Sequence, residues 1–260
     1  MATIVKGDLY EDLDGLLVEI KRQIRQKGGY GFDPELLRKH LQAGIEGRFF
    51  AGSNIRPPKL DSFGGTNFVP VPDSKVPKNH RETTKKYRTI ARTWGIADSV
   101  AICYRVRAGF TLKQHAPKFG KCYEDFKYLQ GWNFEDVPTV DCLIFWIPCV
   151  VPDCTSKTGG EQFQLLSKIR TKYELPAHHL TSFGVVAQNA GLILAHKKAT
   201  GELIPLGCKW IRTATSGADG RRLALAVHGT SGLRCDGWYS DEYRYGDIGV
   251  FAQGVEVLGR

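Results

Sequence analysis

The sequence predicts an α+β protein, and three features of its 260 residues carry that expectation. Apolar residues recur at helical spacing in the first fifty positions. A nearly continuous apolar run, Cys142 to Val151, sits in the middle of the chain. After Gly201 the pattern changes to short apolar stretches divided by glycine turns. Hydrophobic residues make up 42% and charged residues 24%, an ordinary globular balance, so a packed core is expected rather than a disordered chain.

Leu9, Leu13, Leu16, Leu17, Ile20 and Ile24 lie on one face of a helix over 8–26, which Gly28-Gly29 ends. Asp33-Pro34-Glu35 starts a second helix, with Leu36, Leu37, Leu41 and Ile45 as its apolar face. Residues 1–50 thus read as a helical hairpin. Residues 51–80 hold Arg56-Pro57-Pro58 and Pro70-Val71-Pro72 and read as a linker or loop, with a domain over 81–260. Lys85-Lys86-Tyr87-Arg88 reads as exposed. Ser99 to Val106 reads as a strand, and the run at 141–151 as a central strand buried on both faces. Two helices follow, at 160–173 and from a Ser182 cap to about Ala199, with Thr200-Gly201 closing the second. Short strands are expected at 209–213, 222–227, 233–239 and 248–257.

The net charge is +9, and the whole excess falls in 51–130, where fifteen basic residues face six acidic ones. An anionic partner such as nucleic acid is one reading of that segment, with Arg56, Lys85, Lys86, Arg88, Arg92, Arg105 and Arg107 as its cations. A solvated basic face is the plainer one. The start, Met1 to Asp8, lacks the apolar stretch and cleavage site of a secretory signal, so synthesis in the cytoplasm is expected. The run at 142–151 is too short to span a bilayer, so no membrane span is expected. Seven cysteines with no CxxC pair read mostly as buried thiols.

No catalytic motif emerges. Cys149 follows a buried strand and His178-His179 are adjacent, so a Cys–His pair is conceivable there, without any flanking signature. No zinc-finger spacing or helical metal motif is present, and no metal or cofactor is expected. Gly64-Gly65 and Gly159-Gly160 match no phosphate-binding loop.

The last forty residues say most. From Arg234 to Asp247 the chain is dense in Tyr, Trp, Ser, Asp, Arg and Gly, and after Ile248 it turns apolar. Tyr gives a large rigid contact area, while Ser, Asp and Gly adapt their hydrogen bonding, the composition of a binding surface. An ordinary polar hairpin with cross-strand aromatic pairs is the plain alternative. Leu223-Ala224-Leu225 before a Gly-Thr-Ser turn, Gly232-x-Arg234, Trp238-Tyr239-Ser240, Gly249 and Gly254-Val255 together resemble the C-terminal variable region of diversity-generating-retroelement target proteins, the class that includes a bacteriophage tropism determinant. The resemblance covers about 35 residues. It implies a C-type-lectin-like fold over 81–260 with a variable surface at 234–247. Asparagine, frequent at variable positions of that class, is absent from this stretch. The full chain is also similar to uncharacterised proteins of candidate-phylum bacteria, a likeness that implies no function.

The expectation is therefore a non-enzymatic ligand-binding protein. Its contact residues are Arg234, Asp236, Tyr239, Ser240, Asp241, Tyr243, Arg244, Tyr245 and Asp247, and its partner is an unidentified protein or surface ligand. The alternatives are nucleic-acid association through 51–130 and an enzyme with an unfamiliar site near Cys149, His178 and His179.

Overall fold

The computed structural model describes residues 67–201, 204, 210–217, 220–228 and 232–258, with the backbone alone for His228, Trp238 and Tyr239. All lie in one of the chain's two compact units, Pro57–Arg260. The expected N-terminal hairpin lies outside the described residues, as do Arg56 and Cys208.

The fold is α+β, with two four-stranded sheets. The first has the order β1-β2-β3-β8, formed by β1 (Phe68–Pro70), β2 (Cys103–Val106), β3 (Cys142–Val150) and β8 (Phe251–Val257), all antiparallel neighbours. The second has the order β6-β5-β4-β7, from β4 (Trp210–Ser216), β5 (Arg222–His228), β6 (Gly232–Tyr239) and β7 (Ile248–Gly249). Here β4–β5 and β5–β6 are antiparallel, and β7 runs parallel to β4. Among the described residues four α-helices join the strands: α1 (Arg81–Thr93), α2 (Leu112–Phe119), α3 (Gly159–Lys172) and α4 (Val186–Thr200).

The apolar run becomes β3 because both of its faces are covered. Cys142, Ile144 and Trp146 enter a core shared with α4 and with Ile211 and Leu225 of the second sheet. Leu143, Phe145 and Ile147 enter a second core with Tyr87, Ile90 and Ala91 of α1 and Leu166 of α3. A strand sandwiched this way has no polar face, so its sequence does not alternate. α4 is likewise buried nearly all round, from Val186 to His196. Its close, Gly201 at φ 81°, is the left-handed cap that glycine allows. Its start differs from expectation. Ser182 Oγ accepts from Gly184 N, while the helix begins at Val186, whose N–H donates to Thr215 Oγ1 on β4.

Three other expectations are corrected. Residues 67–80 are not a plain linker: Phe68 is buried in the larger core and β1 forms a sheet edge, where flanking prolines are tolerated. The Lys85–Arg88 stretch is only partly exposed: it is the middle of α1, with Lys85 in solvent and Lys86 half-buried. Tyr87 is fully buried, and Arg88, nearly so, makes a two-point contact with Asp73 at 3.0 and 3.1 Å. The expected strand at 248–257 is two strands in different sheets, divided at Val250. Gly249 passes so close to β3 at this crossing that a Cβ would meet Val150 Cγ1 at 2.3 Å.

Candidate functional site

The segment between β6 and β7, residues 240–247, lies over the N-terminus of α3. That helix begins with a capping box: Thr158 Oγ1 accepts from Glu161 N, and Glu161 Oε2 accepts from Thr158 N. The loop backbone is pinned beside it. Gly159 N donates to Asp241 O at 2.8 Å, Ser156 N to Tyr245 O at 2.8 Å, and Trp210 N to Asp247 O at 2.7 Å.

Asp241 is the anchor. Its Oδ1 accepts from Arg212 Nη1 and its Oδ2 from Arg222 Nε, each at 2.6 Å. Arg212 is completely buried, its Nε donating to Gln162 Oε1 and its Nη1 also to Ser240 O. Gln162, buried on α3, donates in turn to the carbonyls of Cys154 and Ile248. Burial pulls the Arg212 pKa down from its ordinary value, and Asp241 opposes that pull. A buried guanidinium without its carboxylate is costly, so this pair fixes where the loop sits.

The nine expected contact residues divide by role. Tyr243 is 65% exposed, and Arg244 projects with it, its Nη2 reaching Glu161 Oε1 at 2.6 Å. Asp247 is exposed, as is Glu242, which lies outside the expected contact set. Arg234 leans over the rings of Tyr123 and Trp210 from β6, with its head partly exposed. Asp236 turns back to accept from Gly237 N. Ser240 and Asp241 serve the anchor, and Tyr245 is half-buried against Trp210, Ala224, Ala226 and Ile248. The side chain of Tyr239 lies outside the described residues. Sequence reasoning missed Arg212, Arg222, Gln162 and Glu161. The one legible signal was an arginine inside the otherwise apolar and small stretch Trp210 to Ala214.

The other candidate residues fall elsewhere. Burial, with Cys154 nearby, pushes the Cys149 thiol up to about 12, so it is not poised as a thiolate nucleophile. His178 and His179 meet Glu256 of β8 instead. Burial, then the charge of His178, lowers the His179 pKa, while Glu256 opposes the shift. Of the basic residues, Arg88 is engaged by Asp73 and Arg92 by Asp98, while Arg105 and Arg107 are exposed. No helix of the described residues is long and apolar enough to cross a membrane.

No protein-family model, curated protein or solved structure matches this chain.

Proposed function

We propose that the chain is a non-enzymatic ligand-binding protein, a C-type-lectin-like variable protein of the diversity-generating-retroelement target class, with the 240–247 loop at the centre of its contact surface. The observation that carries this reading is the contrast within the loop. Its backbone is held by three hydrogen bonds and the Asp241–arginine pairs, while Glu242, Tyr243, Arg244 and Asp247 point outward. A surface ordered before binding loses little entropy on association. Aromatic and arginine side chains are those that dominate interface energies. Glu242, Tyr243 and Asp247, exposed and outside the core, can also change from one relative to another at little cost to the fold, whereas Arg244 is tied to Glu161 of α3. The part of the chain from β3 onward supports the lectin-like reading: β3, two helices, the antiparallel strands β4 to β6, the two-residue β7, and β8, which returns to pair with β3; β1, α1, β2 and α2 precede that run.

The test is binding to arrays of glycans and of bacterial surface proteins. Wild type is expected to bind at least one feature. A variant carrying Glu242→Ala, Tyr243→Ala, Arg244→Ala and Asp247→Ala is expected to lose that signal at nearly unchanged melting temperature. A variant that binds as wild type does would overturn the assignment of the surface.

A further inference from the structure

Three imidazoles converge on one carboxylate at the edge of the first sheet. β8 is an edge strand, paired with β3 alone within its sheet, and Glu256 lies near its end. His179 Nε2 is 3.0 Å and His178 Nε2 3.2 Å from Glu256 Oε1, with His80 Nδ1 at 3.8 Å from the same oxygen. His178, His179 and Glu256 each offer a donor atom, and these atoms all lie within 4.8 Å of one another. Three separate parts of the chain supply the cluster: the residue before α1, the turn between α3 and α4, and β8.

The ring of His179 is held rigidly for this. It is fully buried, packs on the rings of Tyr87 and Phe145, and approaches β8 where Gly254 leaves room. A Cβ on Gly254 would lie 2.2 Å from His179 Nδ1. Glu256, by contrast, has a charge problem. Its side chain is only 19% exposed, and among the described residues no Lys or Arg pairs with it. A partly buried carboxylate is best satisfied by a cationic partner, and three imidazole nitrogens already face this one.

A divalent cation supplies that compensation. A tetrahedral Zn2+ with bonds of about 2.0–2.2 Å spaces its donors roughly 3.3–3.6 Å apart; His178 and His179 stand 3.2 and 3.0 Å from Glu256 Oε1, so small side-chain shifts would admit the ion. Two imidazoles and a carboxylate suit Zn2+ and its neighbours in the first transition row rather than Mg2+ or Ca2+, which take oxygen ligands. We propose that His178, His179 and Glu256 bind one Zn2+-class ion, with a fourth position open to solvent beside the exposed His178. The ion ties the turn between α3 and α4 to the sheet edge. This site is separate from the contact loop and does not depend on that reading.

The full-length protein, stripped with chelator, is titrated with ZnCl2 by calorimetry and with CoCl2 by visible absorption. One ion per chain is expected, with the absorption of a four- or five-coordinate cobalt centre. Zn2+ should also raise the melting temperature. His178→Ala and Glu256→Gln should each weaken binding by about 100-fold or more, since losing a ligand exceeds the cost of losing an outer partner. Circular dichroism checks that each variant is folded, and His178, being largely exposed, is the variant that decides if Glu256→Gln is not. Wild type that takes up neither metal saturably overturns the proposal. So does uptake that a folded His178→Ala variant leaves unchanged.

Discussion

Asp241 shows how a single residue acquires a role that its neighbours in sequence do not disclose. It stands in a polar, aromatic run and reads as a contact residue, yet its partners Arg212 and Arg222 lie 29 and 19 positions upstream. No local pattern links them. Glu161 is similar: its place three residues after Thr158 is legible as a capping box, while its ion pair with Arg244, 83 positions on, is not. The Thr158 backbone N–H, helped by Arg244, holds the Glu161 carboxyl below the usual carboxylate range. A carboxyl lowered in the folded state stabilises the protein fully above its unfolded value, about 4.3, and loses that contribution as pH falls through the folded value. Glu161→Gln is therefore expected to flatten the acid limb of stability against pH, measured by urea unfolding from about pH 5 downward. An acid limb identical to that of wild type would contradict the role. Cys149 gives a second test. With its thiol pushed up to about 12, it should react slowly with a thiol reagent in the native protein at neutral pH, and fast once denatured. A rapid native reaction that Cys149→Ser abolishes would contradict the raised pKa of this half-buried thiol.

At the scale of elements, legibility follows how local the cause is. β3 was readable because burial on both faces leaves an unbroken apolar run. The end of α4 was readable because only glycine takes the left-handed cap easily. α1 was not, because its buried face includes Thr83, Thr84 and Arg88, which read as polar and become core-facing only through partners such as Asp73. The division of 248–257 was invisible for another reason. Ile248 and Phe251 are equally apolar, and only the positions of two sheets decide that the chain leaves one and enters the other at Val250. The crossing depends on the absence of a side chain at 249. Gly249→Ala is expected to cost about 1–3 kcal/mol, the usual range for overpacking, in chemical denaturation. An alanine variant as stable as wild type would mean that β3 and β7 yield more easily than their spacing implies.

For the molecule as a whole, the α+β class was legible from three patterns, whereas the extent of the folded unit was not. Composition places the boundary near 80, yet Phe68 already lies in the larger core and β1 completes the first sheet. That core joins β3, α4 and the second sheet, so the strands behind the 240–247 loop share one interior with the rest of the described unit. The loop stands on this interior through Asp241, while Glu242, Tyr243, Arg244 and Asp247 stand outside it. The most direct measurement is equilibrium urea unfolding of two variants beside wild type. Alanine at 242, 243, 244 and 247 together should change stability by roughly 1 kcal/mol or less, as for exposed positions. Asp241→Ala alone should cost about 3–5 kcal/mol, because it leaves the buried Arg212 without its carboxylate. The reverse order, a costly quadruple change and a mild Asp241→Ala, would show that the outward side chains hold the fold and that the loop is not a contact surface.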